Sequence, residues 1–328
     1  MQLVSPGRIE HVSKALPPLA AGWARVRFAY CGVCGTDVSY FTGRRPTDCP
    51  VTMGHEWVAV VEAVSAGVGG LRPGDVVISD LNFRCGRCTY CASGRSHLCE
   101  TGQRGEFTNR GFGTRADIRV EYLCRCVGPV SPRLALAEPL SCTLHALGWS
   151  RVEAHDRVLV LGAGGIGTCM AFALRYADAP VSFEVNDLDP RRLARLAPVL
   201  ESVGSTVTRP TGSYDLVLDT TGSASGLAAA CAAVAPGGRL CTMSHLPSGS
   251  ADGVLLEALI HKDVTFTLSY LNGDRSNLDR AVALLERHWT DRWDDLIELR
   301  PLIELADALV GRADSPRNKT VIDLGSGR

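Results

Sequence analysis

Lysine is nearly missing from this 328-residue chain: Lys14, Lys262 and Lys319 are its only three, and arginine supplies the rest of the 34 basic side chains. That bias reads as GC-rich codon usage and carries no mechanism. A net charge is missing as well. With 35 acidic residues the formal balance is −1, so no global field favours nucleic acid or an acidic membrane surface. Long apolar runs are also missing. The longest, around Leu227 to Ala235, is alanine-rich and too short to span a bilayer. The opening MQLVSPGRIEH lacks the basic-then-apolar layout of a secretory signal. No internal repeat or low-complexity linker interrupts the chain. Thirteen cysteines without an export layout fit a reducing cytoplasm, with thiols kept free or on metal. The expectation is a soluble cytoplasmic protein with no nucleic-acid or membrane partner, long enough for two domains with their own cores.

What is present begins with Cys85, Cys88, Cys91 and Cys99, in C-x2-C-x2-C-x7-C spacing. Four thiolates so close in sequence can wrap one tetrahedral zinc, with Gly86, Ser93 and Gly94 letting the backbone turn. Neighbours at C-x2-C spacing would strain a disulfide. A structural zinc in a small lobe supplies roughly 10–16 kcal/mol of apparent stability, a disulfide more often about 2–4. Such a site is closed by its own ligands, so the chemistry must lie elsewhere.

The stretch to about Pro129 reads as short strands with glycine and proline turns: Ala24 to Tyr30, Val58 to Val64 and Asp75 to Ile78. This predicts a β-rich domain of small barrel or sandwich type. A helical pattern runs from Ala137 through Trp149, after which strand and helix alternate. Arg157 to Leu161, Val181 to Val185, Asp215 to Asp219, Arg239 to Met243 and Val264 to Ser269 read as buried strands. That alternation predicts an α/β domain with a doubly wound parallel sheet. Between Ser205 and Tyr214 the spacing leaves no room for a crossover helix. The last segment reads as one helix, Leu278 to His288, and a terminal strand, Thr320 to Leu324.

Gly162, Gly164 and Gly167 form G-x-G-x-x-G between a strand and a helix. The first glycine permits a tight turn, the second admits a pyrophosphate to the backbone, and the third lets helix and strand pack closely. Free N–H groups at the helix N-terminus then face the phosphates. Gly165, Ile166 and Thr221 join them as cofactor-contacting candidates. Asp187 at the end of the next strand would hold ribose hydroxyls and repel a 2′-phosphate. Arg191 and Arg192 are placed to hold that phosphate instead, but Asp187 with Asp189 favours NAD over NADP.

Two further fragments carry ligand types, CGVCGTD at 31–37 and GHE at 54–56. With the cysteine lobe, the glycine fingerprint, AEPLSCTLHA at 137–146 and the closing NKTVIDL, the chain resembles the zinc-dependent medium-chain dehydrogenases over nearly its whole length. The resemblance implies a β-rich, GroES-like catalytic domain formed by residues 1–145 and 273–328. Residues 146–272 would be a Rossmann domain, with substrate in the cleft between. It also implies two zinc ions per chain, one structural and one catalytic. For the catalytic ion it implies Cys34 and His55 as ligands, with Glu56 and Glu138 completing the site directly or through water. Cys142 is a rival for the last position. Asp37 is implied behind His55, accepting its other ring N–H, while Cys31 faces the core. Thr36 is implied to pass a proton from substrate towards the cofactor. Ser39 stands at the end of that relay, where many members carry histidine; serine cannot act as a base near neutral pH, so water or the ribose hydroxyl would release the proton.

Alcohol oxidation by hydride transfer needs an alkoxide-like oxygen near neutral pH. Zinc lowers the pKa of bound water from about 15.7 to about 7. At about 1.36 kcal/mol per unit, a comparable effect on an alcohol stabilises its anion by roughly 10 kcal/mol.

CGTDVSYFTG followed by GHEW is similar to the amino-cyclitol dehydrogenases of aminoglycoside biosynthesis that act on 2-deoxy-scyllo-inosamine, which implies a role in antibiotic biosynthesis. Trp57 itself reads as core. Arg104, Glu106 and Asn109, in a polar loop, are candidates to hydrogen-bond several hydroxyls or an ammonium group. The expectation is an NAD-dependent zinc oxidoreductase taking a polyol, sugar or amino-cyclitol to a ketone. L-threonine or simple alcohol oxidation is the close alternative, and a non-catalytic zinc- and dinucleotide-binding protein the distant one. A homodimer or homotetramer would pair Rossmann sheets edge to edge, along Thr265 to Tyr270.

Overall fold

The computed structural model describes residues 1–80, 84–102, 110–176, 181–201, 206–207, 212–243, 253–311 and 318–325. Two sheets dominate. One has seven strands, drawn from residues 23–125 and 297–323. Along it lie Ile297–Pro301, Lys319–Asp323, Trp23–Gly32, Glu56–Val64, Val76–Ser79 and Leu123–Arg125, and Arg115–Arg119 also pairs with Trp23–Gly32. The first two strands run parallel and the other pairings are antiparallel. Alternation along Trp23–Gly32 buries Ala24, Val26 and Phe28, which pack with Trp57, Val61 and Ile118 in one core. Trp57 is 2% exposed and meets Phe28 edge-on at 5.0 Å.

The second sheet has six strands, all parallel, in the order Thr206–Val207, Phe183–Asn186, Val158–Leu161, Tyr214–Asp219, Val234–Thr242 and Thr265–Leu268. Numbered along the chain this is 3-2-1-4-5-6, the doubly wound order whose reversal opens a crevice at the carboxyl ends of strands 1 and 4. Gly162 follows one of those ends and Thr220 the other. The third strand is only two residues long, and most of the segment joining it to Tyr214 lies outside the described residues. Lys262 closes one helix of this layer: its Nζ donates to the carbonyls of Cys231, Ala232 and Val234 at 2.9 Å each, satisfying the end of helix Ala224–Ala233.

Helix Ala137–Ser150 packs against helices Gly165–Tyr176 and Arg275–His288, and is buried over most of its length. Its Leu140 and Leu144 share a core with Met170, Phe172, Leu285 and Trp293. Phe172 lies 5.1 Å from Trp289 and 5.0 Å from Trp293, ring centre to ring centre. Burying such a side chain contributes roughly 1.5–3 kcal/mol.

The final segment holds more structure than its sequence predicts. Ile297–Pro301 is a strand and Leu305–Val310 a helix. IELRP carries two charges on five residues and reads as a loop; at the edge of the sheet only one face needs to be apolar, and its burial alternates accordingly. Among the described residues no helix is long and apolar enough to cross a membrane.

Candidate metal centre and dinucleotide turn

Strand Trp23–Gly32 delivers the chain to Cys34, which caps helix Gly35–Phe41. Asp37 closes a capping box there, its Oδ2 accepting the Cys34 N–H at 2.9 Å. Its Oδ1 accepts the Gly54 N–H at 3.1 Å. Gly54 has φ +90°, and a Cβ on it would meet Cys31 Sγ at 2.8 Å and Phe112 N at 2.9 Å. No other residue type fits that turn, and the turn presents His55 and then Glu56 at the start of the next strand.

One donor atom each from Cys34, His55 and Glu56 lie within 4.8 Å of one another. A thiolate, an imidazole and a carboxylate suit zinc with a coordination position left open. His55 Nδ1 stands 3.8 Å from Asp37 Oδ1, an electrostatic contact longer than a hydrogen bond. Glu138, buried in the first turn of helix Ala137–Ser150, accepts a hydrogen bond from Cys142 Sγ at 3.3 Å. Thr36 lies in the first turn after Cys34, partly exposed. The Ser39 hydroxyl donates to the Gly35 carbonyl at 2.9 Å in its own helix.

Burial sets the charges. It pushes the Glu138 carboxyl up to about 7, opposed by His55, and raises the Cys142 thiol well above its ordinary value, reinforced by Glu138. Asp37 is raised by burial too, against the pull of His55 and the Cys34 N–H. For His55 burial acts downward, but Cys34, Asp37 and Glu138 together lift it well above the usual imidazole range. Burial thus disfavours the charged forms of both acids and the thiol, while the acidic groups around His55 favour its protonated form.

The cysteine lobe shows the same fit in closed form. The sulfurs of Cys85, Cys88, Cys91 and Cys99 lie within 4.8 Å of one another, with Cys85–Cys91 at 4.0 Å and Cys88–Cys99 at 3.9 Å. A tetrahedron of bonds of about 2.3 Å has edges of roughly 3.8 Å, against about 2.05 Å for a disulfide. Backbone N–H groups of Arg87 and Cys88 bring Cys85 down to about 6, while burial pushes Cys91 up to about 12, so it is the sulfur geometry that carries the fit to a metal. A third donor cluster, Glu153, His155 and Asp156, is spanned by Arg239, which pairs with Asp156 and lies 3.9 Å from Glu153. That cluster is an ion-pair network.

At the dinucleotide turn Gly162 has φ +101°, and a Cβ there would meet Thr220 Oγ1 at 2.7 Å. A Cβ on Gly167 would overlap the Gly162 carbonyl. Gly165 and Ile166 open helix Gly165–Tyr176, while Gly164 stands just before it, partly exposed with free space above it. Asp187 Oδ2 accepts the Ala163 N–H at 2.7 Å and Oδ1 accepts that of Asp189 at 2.8 Å, so the acid is braced against the turn. Arg192 Nη1 lies 3.8 Å from Asp187 Oδ2, and Arg191 pairs with Asp189 at 2.8 Å. Thr221 Oγ1 donates to Asp219 at 2.7 Å beside the turn. Residues 103–109, with Arg104, Glu106 and Asn109, lie outside the described residues.

Residues 20–123 match the alcohol dehydrogenase GroES-like domain. Over 250 residues the chain is 32% identical to D-altritol 5-dehydrogenase of Agrobacterium fabrum, covering 73% of this chain and 74% of that protein. The chain belongs to the zinc-dependent medium-chain dehydrogenases. It is also 35% identical over 150 residues to a sorbitol dehydrogenase of Halalkalibacterium halodurans, covering 45% of this chain and only 44% of that relative. Galactitol-1-phosphate dehydrogenase of Escherichia coli shares the fold, with a TM-score of 0.83 at 22% identity over 98% of this chain and 100% of that one.

Sequence reasoning missed one participant in this medium-chain dehydrogenase site. Lys319, 3% exposed, donates from Nζ to Glu56 Oε2 and to the Val33 carbonyl, the latter at 3.2 Å. The available signal was a lysine inside the apolar strand pattern of NKTVIDL. A shallow groove of about 270 Å³, lined by Leu144, His145, Gly148, Trp149 and Asn277, lies towards the far end of the helix that carries Glu138 and includes none of these residues.

Proposed function

We propose that the chain is an NAD-dependent zinc oxidoreductase that takes a secondary alcohol of a polyol, sugar or amino-cyclitol to a ketone. The observation that carries this reading is the convergence of Cys34, His55 and Glu56 donors within 4.8 Å, linked through Lys319 to the glycine turn. When bound there, zinc would supply the Lewis acidity that makes an alcohol oxygen alkoxide-like. Cys34, His55 and Glu56 would hold it; Glu138, which acts electrostatically on His55 but is not among the donors within 4.8 Å of one another, would join through water. Thr36 would carry the substrate proton towards the cofactor ribose. Asp187, with Oδ2 bonded to the turn at Ala163, supports NAD over NADP. Cys85, Cys88, Cys91 and Cys99 would hold a second, structural zinc.

We assign residues 1–145 and 273–328 to the catalytic domain and 146–272 to the cofactor domain. Thr265–Leu268 ends its sheet with Leu268 72% exposed, which supports a homodimer or homotetramer joined along that edge. The names of the curated relatives, among them D-altritol 5-dehydrogenase and sorbitol dehydrogenase, point to polyols; an amino-cyclitol rests on the CGTDVSYFTG and GHEW resemblance.

A panel of hexitols, cyclitols, amino-cyclitols, simple alcohols and threonine, read by absorbance of reduced cofactor, tests the assignment. About two zinc per chain with NADH formed from a polyol or cyclitol is expected. One zinc and no turnover on any member would overturn it.

A further inference from the structure

We propose that Arg84 is a positioning residue through which the four-cysteine lobe holds the chain's return from the cofactor domain to the catalytic domain. This rests on the structural zinc and the domain boundaries proposed above, and concerns side chains outside both metal-ligand sets. The return runs from the end of strand Thr265–Leu268 to helix Arg275–His288. Its backbone enters the left-handed region twice, at Leu271 with φ +59° and at Gly273 with φ +66°. A residue with a Cβ stays in that region only where its surroundings over-determine it. Here the surroundings come from the lobe and from the strand that leads to it.

Asp80, 1% exposed, follows strand Val76–Ser79 and takes the Arg84 guanidinium on its Oδ2. Its Oδ1 accepts from Asn272 Nδ2 at 3.3 Å, and Arg84 Nη2 donates to the Gly273 carbonyl at 3.1 Å. Ser96 Oγ, inside the lobe, donates to Asp274 Oδ2 at 3.0 Å, while Asp274 Oδ1 accepts the Ser276 N–H and so caps helix Arg275–His288. Three consecutive residues of the return are thus each bonded to a different residue of the stretch 80–96. The outgoing crossing meets the same lobe. His97, between the lobe cysteines Cys91 and Cys99, packs edge-on at 4.7 Å against His145, on the helix that leads into the cofactor domain. A Cβ on Gly273 would overlap His145 Nδ1, so the two crossings also touch one another. Arg84 adjoins Cys85 in sequence. A metal that draws the four sulfurs together fixes the backbone from which Arg84, Ser96 and His97 project. Emptying the lobe therefore releases both crossings while leaving the Cys34 site its ligands.

Hydrogen exchange of the full-length, zinc-loaded protein without cofactor, read by mass on peptides over 269–277, tests this. R84M should speed exchange there at least about tenfold while strand Val158–Leu161 keeps its protection, because local opening needs only the return to come free. R84K should restore part of the protection, since lysine keeps a charge on Asp80 but lacks the fork that also reaches Gly273. C99S, short of the lobe zinc, should match R84M over 269–277. NADH affinity in a fluorescence titration should fall several-fold in both R84M and C99S, although neither residue lies in the glycine turn. Should R84M fail to fold, S96A carries the test. Equal exchange over 269–277 in wild type and in the folded variant would overturn the positioning role. Wild-type exchange in a C99S protein that has lost one zinc would remove the metal's part in it. Wild-type NADH affinity with a loosened return would break the link to the cofactor domain. Unchanged zinc content in C99S would instead overturn the lobe as a metal site.

Discussion

Asp37 Oδ1 accepts the Gly54 N–H at 3.1 Å across seventeen residues of chain, while its Oδ2 caps the helix that begins beside Cys34. One carboxylate thus fixes the distance between the segments that carry the thiolate and the imidazole. Asp37→Ala removes the partner of one buried N–H, that of Gly54, and of one half-buried N–H, that of Cys34. We expect a loss of about 1–3 kcal/mol in urea unfolding, together with reduced zinc content. Unchanged zinc content would show that His55 and Cys34 hold their geometry without this link.

The lobe and the open centre should lose metal independently. Cys99→Ser is expected to lower zinc from about two to about one per chain by metal analysis, with the Cys34-site zinc retained. Loss of both would mean that the lobe shapes the centre.

Gly167→Ala places a methyl into the Gly162 carbonyl. Overpacking of this kind costs about 1–3 kcal/mol, and because it deforms the turn, NADH affinity in a fluorescence titration should fall at least about tenfold, a loss of about 1.4 kcal/mol. Wild-type NADH binding would place the dinucleotide elsewhere.

Stability should fall in mild acid through His145. Burial lowers its pKa to about 4, helped by His97, whose ring lies 4.7 Å away. The Trp149 indole N–H donates to His145 Nε2 at 3.2 Å, a bond only the neutral ring accepts. A lowered histidine pKa means that the unfolded chain binds the proton first. The contribution is therefore complete above about pH 6.5 and is lost as pH falls towards 4. Thermal melts across that window should show a steeper decline for wild type than for His145→Phe. Equal slopes would place the titrating group elsewhere.

How much of this was legible depended on how local each signal was. The four lobe cysteines span fifteen residues, and the glycine turn with its strand and helix about twenty; both announce themselves by spacing. Glu138 and Asp37 were reached through a family resemblance, because nothing near them in sequence marks them as metal neighbours. Lys319 was missed since its partner Glu56 is 263 residues away, and a lysine near a chain end reads as solvated. The strand Ile297–Pro301 escaped for the opposite reason: its polar face is real and faces outward. Ser39 shows a further limit: its hydroxyl donates to the Gly35 carbonyl, a contact set by helical geometry that no motif encodes.

The scarcity of lysine has a practical side. Of three ammonium groups, one is buried on a carboxylate and another is held by three carbonyls, while Lys14 stands in solvent. Among the lysines, an amine-directed dye or crosslinker applied to the folded protein would therefore favour Lys14, twenty residues before Cys34.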